Sequence, residues 1–305
     1  MTTALIVGGG SIALRHARVL HGLGAGVAFV SSRTDLEGVV YPTVDAAISS
    51  GMPDYVVVAN DTSRHAEAVS QLTQAGYTGR LLIEKPAVVD PQHTASFAHV
   101  GVAFNLRFHP VIGALREVLS AMPVDEHVIQ AEAYAGQWLP DWRPDRPVNE
   151  QYSAHVARGG GVLRDLSHEL DLVQWLIGKT TGVFARGGRI GDVTVDSDDS
   201  WNVVLEHTTR ATTSLQLNYF DRPGARFLRV VTSHRTCEAN LTSSTLLING
   251  ESQHFAIERD DTYRAMHVDM LGAQATVATI AAANETDALI LDIELSAKTK
   301  KWIER

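Results

Sequence analysis

The sequence predicts an α/β domain with a doubly wound parallel (Rossmann) sheet, followed by an α+β domain with a largely antiparallel open sheet. Three observations carry this expectation. Up to about residue 120, short unbroken apolar runs alternate with helix-like segments, the pattern of strands buried on both faces. From about residue 128, strand-like runs instead follow one another directly, with turn residues between them. The length, 305 residues, suits two domains at roughly 150 residues each. The expected division is 1–120 and 121–305.

In order along the first part, strands are expected at 4–7, 27–30, 55–59, 81–83 and 100–104. Helices are expected between them at 11–23, 44–50, 63–75 and 91–99. In the second part the strands are 128–134, 201–207, 212–219, 227–233, 245–248 and 254–258. Asp221-Arg222-Pro223-Gly224 and Asn249-Gly250 supply turns. A helix over 161–177 interrupts these strands, and helices over 262–282 and 286–298 close the chain. The segment 137–151 carries Pro140, Pro144 and Pro147 with Trp138 and Trp142, and reads as a long loop.

Composition excludes several classes. Lys and Arg number 26 against 35 Asp and Glu, a net charge of −9, which disfavours nucleic acid or an anionic membrane as a partner. The single cysteine, Cys237, rules out a disulfide framework and a thiolate-rich metal site. The thirteen histidines form neither HxxxH nor HExxH, so no metal is expected. No signal peptide opens the chain and no apolar stretch reaches bilayer length, so a cytoplasmic location is expected.

The first strand runs into Gly8-Gly9-Gly10-Ser11-Ile12-Ala13, a GxGxxA turn opening a helix. Such a turn needs glycine because a pyrophosphate must approach the backbone closely, while the helix N-terminus supplies N–H groups and positive dipole. A dinucleotide site follows. Where an NAD site usually places an acid after the second strand, this chain has Ser31-Ser32-Arg33-Thr34, with Asp35 slightly late. Hydroxyls and a guanidinium suit a 2′-phosphate, so NADP is favoured, with NAD as the alternative.

Further motifs follow: Asn60-Asp61-Thr62-Ser63-Arg64-His65, Ile83-Glu84-Lys85-Pro86, Phe104-Asn105-Leu106-Arg107-Phe108-His109-Pro110, and the run from Gly159-Gly160-Gly161 through Asp165 and His168 to Asp171. With the glycine turn and the late segments Asp261-Thr262-Tyr263 and Ser296-Ala297-Lys298, this series resembles the Gfo/Idh/MocA family over essentially the whole chain. The segment from Gly136 through Trp138 and Trp142 to Pro144 further resembles members associated with glycan-sugar biosynthesis. Two departures stand out. Asp165 and His168 lie three apart where the family usually has four, and the acid after the second strand is missing.

The resemblance implies an NAD(P)-dependent oxidoreductase acting on CH–OH groups. It would move a hydride between nicotinamide and a secondary alcohol or ketone carbon of a sugar or sugar derivative, nucleotide-linked sugars included. It also implies dinucleotide contacts from Gly8, Gly9, Gly10, Ser11, Ile12, Ser32, Arg33, Asn60, Asp61, Thr62, His65, Glu84 and Lys85. At about 100° per residue, the helix 161–177 turns Leu163, Leu166, Leu170, Val173 and Ile177 to the core and gathers Asp165, His168, Asp171 and Trp175 opposite. His168 suits general base chemistry because an imidazole titrates near working pH. Asp165 would orient that ring or bind a substrate hydroxyl, with Asp171 a second candidate to orient it, and Lys85 would donate to the reacting oxygen. Arg107 and His109 either touch substrate or cap the next helix. Trp138, Trp142, Arg143 and Tyr152 either line a sugar pocket or pack a structural loop. The alternatives are a carbonyl or imine reductase on a non-sugar metabolite, a non-catalytic dinucleotide sensor, and a redox-neutral enzyme with a held cofactor. The expected partners are a small-molecule substrate and further copies of the chain, as a dimer or tetramer.

Overall fold

The computed structural model describes residues 2–87 and 89–305. Contacts divide the chain into two compact units: one up to Phe108 plus Glu258–Asp287, the other His109–Ile257 plus Ala288–Arg305. The segment 258–287, expected within the part after residue 120, therefore packs with the first unit.

The first unit contains β1 (Thr3–Val7), α1 (Ser11–Gly22), β2 (Gly26–Val30), β3 (Val39–Tyr41), α2 (Val44–Ser50), β4 (Tyr55–Val58), α3 (His65–Gln74), β5 (Arg80–Ile83) and β6 (His99–Val102). Its six strands are all parallel, in the order β3-β2-β1-β4-β5-β6. Every residue of β4 is buried, as are Ala4 to Val7 of β1, which accounts for their unbroken apolar character. Helix α1 turns Ala13, His16, Ala17 and Leu20 inward, a helical repeat that packs on one sheet face. The chain reverses its order of winding at β1, between β2 and β4. The carboxyl ends of these strands flank the crevice where doubly wound sheets bind ligands.

The second unit starts with α4 (Pro110–Ser120) and β7 (Val128–Gly136), followed by α5 (Val162–Asp165), α6 (His168–Ile177), β8 (Thr180–Gly188), β9 (Ser200–His207), β10 (Thr212–Asn218), β11 (Ala225–Thr232), β12 (Thr236–Asn240), β13 (Thr245–Ile248) and β14 (Glu251–His254). The chain then supplies α7 (Asp261–Leu271) to the first unit and ends in α8 (Ile280–Thr299) and β15 (Ile303–Glu304). The nine-stranded sheet runs β14-β13-β12-β11-β7-β10-β9-β8-β15. It is antiparallel except between β7 and β10. Alternating burial along β9 and β10 marks a sheet with one packed and one outward face.

Several expected elements differ in detail. The helix at 91–99 is only a 3₁₀ turn, Pro91–Thr94, before β6 begins at His99. The helix at 262–282 stops at Leu271, where the Asp269 carboxylate takes the N–H groups of Ala275, Thr276 and Val277 and turns the chain aside. The strand at 254–258 gives way to β14, because Asn249 (φ 50°) and Gly250 (φ 91°) form a tight turn that pairs Ile248 with Glu251 at once. β3, β8, β12 and β15 went unforeseen. The helix at 161–177 is broken, with consequences for the site below.

Burial depresses the pKa of four histidines that the fold keeps neutral. His65 and His267 lie in the first unit, His109 and His207 in the second. His207 donates to the Gly178 carbonyl (2.7 Å) and faces the Thr213 hydroxyl (2.7 Å). His109, lowered to about 4 by burial and then by the Arg226 charge, caps α4 by accepting the Val111 N–H. Unfolded, these rings protonate near pH 6.5, so on acidification the unfolded chain binds protons the folded one refuses. Stability present above about pH 6.5 is lost progressively as pH falls toward about 4. Each ring contributes up to about 1.4 kcal/mol per pH unit in that window. The urea midpoint should therefore decline between about pH 7 and pH 5, and a flat profile there would contradict the expectation.

Candidate functional site

In the first unit the turn after β1 is built around a glycine that no other residue replaces. Gly8 has φ +136°, donates its N–H to the Val30 carbonyl (3.0 Å), and a Cβ on it would lie 2.5 Å from the Ala59 carbonyl oxygen. The exits of β1 and β4 thus touch backbone to backbone. Gly10 is the N-cap of α1, with no side-chain cap and no acid in the first helical turn. A Cβ on Gly10 would meet nothing within 4 Å, so the positive end of α1 opens onto uncrowded space. Beside it, Asn60 Oδ1 is buried without a protein hydrogen-bond partner. An open helix N-terminus next to an unmatched acceptor fits a dinucleotide, whose phosphates and hydroxyls supply the complementary groups. Ser11, Ser32 and Asp61 are exposed and Ile12 and Thr62 half-buried along these loops, so their side chains are reachable.

Two other candidates are turned inward. The His65 ring is 1% exposed and its nitrogens face the Pro86 carbonyl (2.9 Å) and the Asn60 carbonyl (3.1 Å). Burial keeps it neutral, with one N–H to donate, and it ties the β4 exit to the segment bearing Lys85. It therefore reaches a bound molecule only through the backbone it holds. Glu84, also buried, places Oε1 2.9 Å from His16 Nε2, and its Oε2 accepts the Lys85 N–H (3.2 Å). Beyond it, His16 Nδ1 lies 2.9 Å from His267 Nε2, and His267 Nδ1 lies 3.0 Å from the Tyr55 hydroxyl. One set of tautomers satisfies every group: Tyr55 donates to His267, His267 to His16, and His16 to the Glu84 carboxylate. This chain, drawn from α1, β4, the residue after β5 and α7, was not foreseen from sequence. Lys85, half-buried and joined to Pro86 by a cis peptide, follows directly from it. Arg107 is buried in the 3₁₀ turn Asn105–Phe108.

In the second unit, α5 ends at Asp165, Leu166 leaves the helical region (φ −99°, ψ 26°), and α6 starts at His168. The three-residue spacing therefore spans a break rather than one helical face. Asp165 Oδ2 accepts the Tyr219 hydroxyl (2.6 Å), and Tyr219 sits edge-on to Trp142 at 5.5 Å. Burial, and next the Asp165 charge, raises the Tyr219 pKa, so the phenol stays a donor. Tyr219 was missed because it stands 54 residues from Asp165 and its only sequence signal is the end of a strand. The Trp142 Nε1 donor is buried without a protein partner. Asp171 is 1% exposed and Trp175 lies under the Arg116 guanidinium (4.5 Å), so neither belongs to an open face with His168. The core stripe Leu163, Leu166, Leu170, Val173 and Ile177 is buried. Trp138 carries the Arg222 guanidinium on its ring at 3.2 Å.

Comparison with known proteins gives the family. Residues 2–101 match the model described as the oxidoreductase family, NAD-binding Rossmann fold, and residues 127–238 match the GFO/IDH/MocA C-terminal domain. The chain is an NAD-binding oxidoreductase of the GFO/IDH/MocA family. An uncharacterized oxidoreductase of Streptococcus pneumoniae is 25% identical over 79% of this chain and 69% of its own. The WlbA dehydrogenase from Bordetella pertussis, solved with NADH and UDP-GlcNAcA, shares the fold with a TM-score of 0.80 at 16% identity, covering 100% of this chain and 97% of that one. Levoglucosan dehydrogenase, solved with NADH and levoglucosan, has a TM-score of 0.83 at 15% identity over 99% of both chains. Among the described residues no helix is long and apolar enough to cross a membrane.

Proposed function

We propose that the chain is a soluble, cytoplasmic dehydrogenase that oxidises a secondary CH–OH of a sugar or sugar derivative, nucleotide-linked sugars included. The observation that carries the redox reading is the turn at Gly8 to Gly10, which leaves the α1 N-terminus open and uncapped. A bound nicotinamide supplies the hydride acceptor. His168 takes the hydroxyl proton, Asp165 holds a neighbouring hydroxyl while Tyr219 fixes its carboxylate, and Lys85 donates to the reacting oxygen. The sugar assignment is supported by the unmatched Trp142 donor, which a sugar hydroxyl can satisfy, and by the sugar ligands named for the two similar structures. In this reading, the first unit holds the dinucleotide and the second the substrate. Copies of the chain associate through the outward face of the nine-stranded sheet, which exposes Val204 (43%).

The test is nicotinamide absorbance with NAD and a panel of UDP-hexosamines, uronic acids and free or anhydro sugars. Turnover on one sugar class, with little on plain ketones or imines, is the expected result. Dinucleotide binding with no turnover on any sugar would overturn the substrate assignment.

A further inference from the structure

We infer that Asp35 selects the unphosphorylated dinucleotide, by holding the Arg33 guanidinium in a pair that a 2′-phosphate would have to break. This rests on the chain binding a nicotinamide dinucleotide and concerns residues of the first unit alone. The adenosine ribose of a dinucleotide sits at the end of the second strand in a doubly wound sheet, where an acid commonly reads the 2′-hydroxyl and an arginine the 2′-phosphate. Here both residue types are present, two positions apart, after β2.

Arg33 places Nε 2.9 Å from Asp35 Oδ1 and Nη2 2.5 Å from Asp35 Oδ2, two parallel charge-assisted bonds. Its Nη1 donates to the Gly9 carbonyl at 2.6 Å, and its own N–H donates to Ser31 Oγ at 3.1 Å. The guanidinium is therefore anchored on the phosphate-binding turn itself. The glycine leaves room for this arrangement: a Cβ on Gly9 would lie 2.5 Å from Ser31 Oγ and 3.3 Å from Arg33 Cδ, so both side chains would have to shift.

A phosphate and a carboxylate compete for the same edge of a guanidinium, because both bind it through two parallel N–H bonds. Arg33 meets an incoming 2′-phosphate with that edge already taken, and the phosphate also approaches the Asp35 charge. A 2′-hydroxyl brings no charge and is itself a donor, which the Asp35 oxygens can accept. Both residues are substantially exposed, with side chains 44% and 67% accessible, so the pair adds little to folding. Its effect is on the difference between two ligands. Without Asp35, the same arginine on the same anchor becomes a phosphate receptor.

The experiment is a fluorescence titration of NADH and of NADPH against the wild type, Asp35→Ala, Arg33→Ala and the double variant, each checked for an unchanged melting transition. Wild type should bind NADH more tightly. Asp35→Ala should move the NADH/NADPH affinity ratio toward NADPH by about tenfold or more, with the gain shrinking at high salt and absent from the double variant. A wild-type preference for NADPH overturns the inference. So does a ratio unmoved beyond about twofold in Asp35→Ala, or an equal gain in the double variant. Binding of neither dinucleotide to the wild type would instead remove the dinucleotide reading on which the inference stands.

Discussion

His168→Ala should lower the single-turnover rate of hydride transfer by about 10²–10⁴-fold while leaving NADH affinity within about twofold. The split follows from the proposed roles: His168 is proposed to act on the substrate hydroxyl, whereas the turn at Gly8 to Gly10 is proposed to hold the dinucleotide. In the proposed mechanism, losing His168 leaves the hydroxyl proton to water, which abstracts it poorly at neutral pH. Under the same proposal Lys85→Ala should fall by a comparable factor, about 10²–10³, because the oxygen would lose the donor that stabilises its developing negative charge. Chemical rescue should separate the two: added imidazole should restore part of the His168→Ala rate and none of the Lys85→Ala rate. Single-turnover rates near wild type in either variant, on the sugar identified by the panel, would take that residue out of the mechanism.

Gly8→Ala should cost about 3–5 kcal/mol of stability, the sum of overpacking and a strained backbone. The added methyl would sit 2.5 Å from the Ala59 carbonyl, a rigid backbone atom, and alanine disfavours φ +136°. At roughly 2–4 °C per kcal/mol for a unit of this size, the melting point should drop by about 6–20 °C. Gly10→Ala is the contrasting variant. Its φ is −77° and no atom lies within 4 Å of the new methyl, so it should melt near wild type. The methyl nevertheless enters the open space before α1, so NADH affinity should fall by about tenfold or more. Equal melting losses for the two variants would contradict the contrast in space at the two glycines, and unaltered NADH affinity in Gly10→Ala would show that the turn is not the phosphate cradle.

Local order along the chain made the first unit readable. Continuous apolar runs at 4–7, 55–59 and 81–83 match strands buried on both faces, and the glycine turn announces both a sharp bend and the chemistry that needs it. The site in the second unit was legible only in its residue types. Helical arithmetic over 161–177 found the buried stripe correctly but carried Asp165, His168, Asp171 and Trp175 onto one face. The break at Leu166 and Ser167 depends on packing rather than propensity, since neither residue is a strong helix breaker.

By itself the sequence determined the parallel sheet, the dinucleotide turn, the family and the candidate residues Lys85, Asp165 and His168, because these reside in short-range patterns of polarity and glycine. The tertiary structure decided which partners these groups meet. His16 finds Glu84 across 68 positions and His267 across 251, Tyr219 finds Asp165 across 54, and 258–287 returns to the first unit. Even the Arg33–Asp35 pair, only two residues apart, needed the structure, since side-chain direction there is set by the Gly9 carbonyl and Ser31. Periodicity reports which side of an element is buried. Which donor faces which acceptor is settled only when distant elements pack, because buried polar groups must find partners wherever the fold brings them.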